Sequence, residues 1–249
     1  MIATAPLNPG TLRRREPAVV KLISLELRRV PLLGHLVGIV VANLLIALVS
    51  IIASALLSGN ASTSAAVGLP ATPPDTLTLA TMLVRATLIV WEAVLASQVV
   101  IEEYRAGTLA LLFASPVPRG RILAAKVLLV CGITLALYAL SYWFQSACVA
   151  VAGNYLPYVS GHNVDPVRDT TAIVSAIAVG LAPLLVGALS RSVIATVVSS
   201  FALVAVASNA QGAGASLLSV PFAALFIGMA GTVCTAAAVH RIVSADSAK

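Results

Sequence analysis

Two ionisable residues of opposite sign, Arg85 and Glu92, stand seven positions apart inside the apolar stretch TLATMLVRATLIVWEAVLASQVV. On a helix they share one face, about 10 Å apart along the axis. At the centre of a membrane each would cost about 2.5–3.5 kcal/mol on insertion scales, so both should face protein or water. Two uses fit such a pair: part of a translocation path or gate, or an interhelical lock with Arg85 reaching toward the interface. Other reactive types are sparse and scattered. His35, His162 and His240 lie near the edges of apolar runs, with no H-E-x-x-H around them. Cys131, Cys148 and Cys234 sit within apolar runs without C-x-x-C spacing, and read as small buried hydrophobes. With no nucleophile–base pair and no ligand spacing, neither a catalytic residue nor a metal site is expected.

The elements that hold these residues are set by composition. The 249 residues are 59% hydrophobic and only 10% charged, and mean hydropathy is +1.02. A soluble domain carries about a quarter charged residues, so lipid must be the solvent. Runs long enough to cross a bilayer fall at about 35–57, 79–101, 122–150, 171–190, 193–210 and 219–240. The expected fold is an all-α membrane protein with a single six-span transmembrane domain over 32–240. The 122–150 run is longer than one crossing needs, and is expected to tilt or to end near Phe144. Ser190, Arg191 and Ser192 split 171–210 into a tight hairpin.

The net charge of +6 suits a nucleic-acid binder only if the cations form one face, and they do not. Thirteen of the fifteen Lys and Arg residues fall in the N-terminal segment, in 105–126, at Arg191, at Arg241 and at Lys249. The other ends of the spans carry only Arg168, beside Asp165 and Asp169. An even number of spans with both termini cytoplasmic satisfies that asymmetry, and 241–249 is then a cytoplasmic tail. The 58–78 loop, rich in Ser, Thr, Ala and Pro, reads as an external linker; its Asn60-Ala61-Ser62 sequon is a frequent chance pattern. Tyr142, Trp143, Tyr155 and Tyr158 read as an outer aromatic belt. No cleavable signal is expected: about thirty polar and amphipathic residues precede a first apolar run too long for an h-region. Residues 1–16 form a flexible basic N-terminus. Within 17–31, Val19, Val20, Ile23, Leu27 and Val30 alternate at helical period with Lys21, Glu26, Arg28 and Arg29, which predicts a basic amphipathic helix on the membrane surface.

Between the second and third spans runs IEEYRAGTLALLFASPVPRGRILAAKVLLV. Glu102 and Glu103 end one membrane helix, Gly107 permits a turn, and Thr108 caps a short helix, Leu109 to Phe113. Ser115-Pro116-Val117-Pro118 stops it, and Arg119, Arg121 and Lys126 lead back into lipid. A short helix held by rigid turns between two spans passes force to those spans as a lever.

Here the chain resembles the ABC type-2 transporter permeases, whose loop runs as an acidic pair, G-T-L, a Leu pair, S-P, an Arg and G-K. Glu102, Glu103, Gly107, Thr108, Leu109, Leu111, Leu112, Ser115, Pro116, Arg119 and Lys126 match. Ala110 stands where an acidic residue is usual, and Ala125 replaces the Gly before the Lys. The resemblance implies that 102–121 is a coupling loop docking on a cytoplasmic ATPase subunit, through Glu102, Glu103, Gly107, Thr108, Leu109, Leu112, Ser115, Pro116 and Arg119. It implies that 17–31 is an elbow helix, and that a second permease chain, identical or homologous, completes the pathway. ATP and Mg would be bound by the partner subunit and no cofactor by this chain, which contains no G-x-x-x-x-G-K-[ST].

The implied function is the transmembrane subunit of an exporter in the plasma membrane, moving a drug, peptide or lipid-like substrate. An ion-gradient-driven transporter, motivated by Arg85 and Glu92, and a non-transporting membrane anchor stay open as alternatives. Lipid is an expected partner and nucleic acid is not.

Overall fold

The computed structural model describes residues 32–59, 75–106, 119–161, 166–208 and 221–247, and among them the only regular structure is helical. In chain order these are α1 (Leu32–Gly59), α2 (Thr76–Ala96), a π-helical turn (Ser97–Ile101), α3 (Glu102–Ala106), α4 (Arg119–Gly153), α5 (Pro166–Gly180), α6 (Pro183–Ser190), α7 (Val193–Ser208) and α8 (Pro221–Ser247). The N-terminal segment, the elbow helix and the coupling loop from Gly107 to Pro118 lie outside the described residues.

Five helical stretches are long and apolar enough to cross a membrane: Leu33–Leu57, Thr76–Tyr104, Gly120–Gly153, Asp169–Ser190 and Phe222–Ser244. They correspond to five of the six expected spans. The remaining one, α7, has 16 residues, about 24 Å at 1.5 Å per residue, against a hydrocarbon core of about 30 Å. Its described part is thus a short apolar helix. The third span does not stop near Phe144; α4 runs unbroken for 35 residues. The fourth is broken. Pro183 has no N–H to continue the ladder, and the chain closes Gly180–Pro183 with short-range bonds: Ala182 N to Val179 O at 2.9 Å and Leu184 N to Leu181 O at 3.0 Å. Prolines also open α5 and α8, where a missing N–H costs nothing.

Packing centres on α2, which touches α1, α4, α5, α6 and α7. Leu88, Ile89, Leu95 and Ile101 from α2 and its π turn meet Leu123 and Val130 of α4, Ala176 of α5, Leu184 of α6 and Ala224 and Ile242 of α8 in one buried core. Helix α8 lies closest to α5, because a Cβ on Gly231 would collide with the backbone of Ala178 and one on Gly228 would crowd Ser175. Small residues three positions apart therefore serve backbone approach there. Helix α1 packs chiefly on α2 and α4 and leaves Leu33, Val37, Leu44, Leu45, Leu48 and Leu56 exposed, as a lipid-facing helix does. Several hydroxyls within the apolar helices are satisfied by carbonyls one turn back, as with Thr87 on Leu83 O and Ser190 on Val186 O.

Candidate functional site

The end of α2 departs from α-helical geometry immediately before the acidic pair. Over Ser97–Ile101 the helix widens into a π turn, with the Glu102 N–H donating to Ser97 O, five residues back. One extra residue in the turn rotates everything beyond it by about 100°. The consequence is seen at Glu103, whose Oε2 lies 2.9 Å from Lys126 Nζ on α4. Lys126 has no exposed surface, and its ammonium also donates to Val99 O at 3.4 Å, within the π turn. Removing one partner from a buried pair of this kind costs about 3–5 kcal/mol, because the other charge is left stranded.

This ion pair closes the base of the expected coupling loop, joining the helix that enters it to the helix that leaves it. Glu102, by contrast, is exposed. Gly107, Thr108, Leu109, Leu112, Ser115 and Pro116 lie outside the described residues, and Arg119 opens α4. A third element meets the same end of the bundle: Arg191, in left-handed conformation (φ 51°) between α6 and α7, stacks its guanidinium 5.2 Å from the Tyr104 ring centroid. The expected tight hairpin is therefore present, and it lies against the stem of the loop.

Arg85 and Glu92 share a helix but not a site. Glu92 is fully buried, with neither carboxylate oxygen hydrogen-bonded, and its side chain fills the space left by the missing side chain of Gly180 at the α5–α6 break. Arg85 lies two turns away, its Nε donating to Thr81 O at 3.4 Å while the Tyr138 hydroxyl donates to Arg85 O at 3.5 Å. It lines a groove between α2, α4 and α5, together with Tyr138, Tyr142, Gln145 and Asp169.

Behind the groove runs a polar network whose function the spacing argument did not assign. Asn43 on α1 donates from Nδ2 to Ser141 Oγ at 2.9 Å and to Ile39 O at 2.9 Å. Gln145 Nε2 donates to Asn43 O at 2.9 Å and Asn43 Oδ1 at 3.0 Å. Nearer the same end, Ser54 and Thr76 hydroxyls are 2.8 Å apart, and Ser160 Oγ donates to Asp75 Oδ1 at 3.1 Å. The signal was present in sequence: Thr134, Tyr138, Ser141 and Gln145 recur at helical period on α4, opposite Asn43, Ser50 and Ser54 on α1. The remaining candidates are ordinary. His35 packs edge-on against Trp91 with centroids 5.8 Å apart, His240 is exposed, and His162 lies outside the described residues. Cys131, Cys148 and Cys234 are free thiols, each half-buried. Among the described residues no three His, Cys, Asp or Glu side chains are grouped to hold a metal.

Apolar helices of spanning length, arranged round a polar seam and stapled at one end by a buried ion pair, define a multi-pass membrane protein of the permease type. Comparison with known families places it further. The family model described as ABC-2 family transporter protein matches residues 35–209, most of the described bundle, and the chain belongs to that family. It is also similar to the "Uncharacterized protein YcbO" of Bacillus subtilis (strain 168), 27% identical over 236 residues, which span 92% of this chain and all of that protein. No solved structure matches.

Proposed function

We propose that this chain is the transmembrane half of an ATP-driven exporter, moved by a separate nucleotide-binding subunit that engages the 102–121 segment. The observation that carries this reading is the Glu103–Lys126 ion pair at the base of that segment. A loop that only connects two spans has no need of a buried charge pair, whereas a loop that transmits force needs its two stems to move as one body. Family membership supports a partner ATPase, and the lack of a P-loop sequence in these 249 residues is in keeping with nucleotide chemistry carried out by that partner. On this reading the Lys126 end of the bundle is cytoplasmic, the two termini lie on that side in the plasma membrane, and a second permease chain completes the pathway. The cargo class is drug-, peptide- or lipid-like.

The deciding experiment isolates the chain gently from its own membrane and assays what accompanies it. An ATP-binding subunit should co-purify, with ATPase activity in the complex, and replacement of Gly107–Pro116 by a Gly/Ser linker should abolish that recovery. Isolation of the chain without an ATPase, still active in transport, refutes the proposal.

A second reading rests on Glu92. A buried carboxylate without hydrogen-bond partners, placed at a helix break, is the feature expected of an ion-gradient-driven transporter. It predicts flux that persists without ATP and is abolished by Glu92→Gln.

A further inference from the structure

Glu92 stands in mid-span on α2 without exposed surface, and the residues one turn to either side of it, Leu88, Ile89, Leu95 and Ala96, all belong to the buried core. Neither carboxyl oxygen meets a hydrogen-bond donor among the described residues, and no space the size of a water molecule adjoins either one. A bare carboxylate in such a place is far costlier than the neutral acid, because nothing replaces the water it gave up. No neighbouring cation offsets the charge. Arg85 lies two turns away on the same helix, its Nε on Thr81 O. Helix α4 brings Cys131 and Tyr138 within electrostatic range, neither of them cationic, and its Lys126 is held by Glu103. On α1 the titratable residue is His35, which packs on Trp91. On α5, Arg168 and Asp169 stand in the first turn, at the far end from Gly180, while α6 and α7 hold no ionisable residue and Arg191 between them stacks on Tyr104.

A hydrated metal cation has no room against these oxygens, and a proton needs none. The seat of the carboxyl is also a place where the fold can move. The Glu92 side chain lies across Gly180, where a Cβ would collide with it. Next to Pro183, Leu184 N donates to Leu181 O at 3.0 Å instead of to Gly180 O, its α-helical acceptor. A helix interrupted in this way bends at the interruption. Parting α5 from α2 there would bring water to Glu92 and let its proton leave or return.

We propose that Glu92 is a proton-binding site, occupied in this conformation and open to exchange only when the chain hinges at Gly180–Pro183. Movement of the bundle is then linked to pH: acid favours the closed seat described here, and alkali favours the parted one. This names the ion for the gradient reading, which rests on the same carboxyl, but the site exists equally in a chain driven by ATP.

Infrared spectra of the full chain in detergent at neutral pH read the protonation state without any transport assay. A protonated-carboxyl carbonyl band should be present in the wild type and lost in Glu92→Gln, whereas a solvated glutamate is ionised at that pH. Transfer to heavy water needs no variant: the band should shift, as a carboxyl band does on deuteration, but only slowly, because the seat is closed. Gly180→Ala places a methyl where the carboxyl rests, so it should drive Glu92 toward water and abolish the band. Absence of the band from the wild type, its persistence in Glu92→Gln, immediate exchange in heavy water, or an unchanged band in Gly180→Ala overturns the proposal. Flux without ATP bears on the gradient reading alone, so the two fail separately.

Discussion

Lys126 illustrates how much one buried charge depends on its partner. Its ammonium is out of reach of water and is held by Glu103 and the Val99 carbonyl. Lys126→Ala strands Glu103, and Glu103→Ala strands Lys126 in a site without solvent, so each variant should be less stable by about 3–5 kcal/mol. Thermal unfolding in detergent measures this, and the exchanged pair Glu103→Lys with Lys126→Glu should recover part of the loss. The neutral network is worth less. Asn43→Leu leaves Ser141 Oγ without its donor on α1 and Gln145 Nε2 with only the backbone carbonyl of residue 43 as acceptor, and hydrogen bonds between membrane helices contribute about 0.6–2 kcal/mol each. A double-mutant cycle between Asn43→Leu and Gln145→Leu should therefore return a coupling of that order, read from unfolding midpoints.

Among the elements, the π turn is the one whose geometry does most for the expected coupling segment. It inserts a residue between the core of α2 and the acidic pair, and so decides which way Glu103 faces. Deleting the exposed Gln98 should return the segment to α-helical register and swing Glu103 by about 100° away from Lys126. The expected result is a chain that still inserts but no longer stimulates, or responds to, a bound ATPase, as ATP hydrolysis by the purified complex would show. The α5–α8 contact tests a different property. Gly231→Leu forces a side chain into the backbone of Ala178, and overpacking of this kind costs about 1–3 kcal/mol. The melting temperature should fall while Glu103–Lys126, on other helices, is untouched.

Across the whole molecule the polar features divide by end. Glu103, Lys126, Tyr104 and Arg191 gather at one, while Asp75, Thr76 and Ser160 gather at the other. With Cys131, Cys148 and Cys234 replaced by Ala, a cysteine at Ser192 should react with an impermeant thiol reagent only from the cytoplasmic side, and one at Ser160 only from outside. Labelling of both from the same side would overturn the orientation that the Lys and Arg distribution implies.

The sequence by itself determined what the chain dissolves in and roughly where it crosses. Those properties depend on local composition: twenty apolar residues in a row have the same preference for lipid whatever they pack against. It also placed the hairpin at Arg191, because a polar triplet in an apolar run acts on its own neighbours. The tertiary structure decided the rest. Arg85 and Glu92, one face apart in spacing, separate because α5 puts Gly180 against one and Asp169 beside the other. Lys126, legible in sequence as a flank of the third span, is a buried partner of Glu103 only because a π turn rotates α3 toward α4. The groove draws its walls from residues as distant as Thr81 and Ile173, and no local pattern announces a groove that forms only where three helices meet.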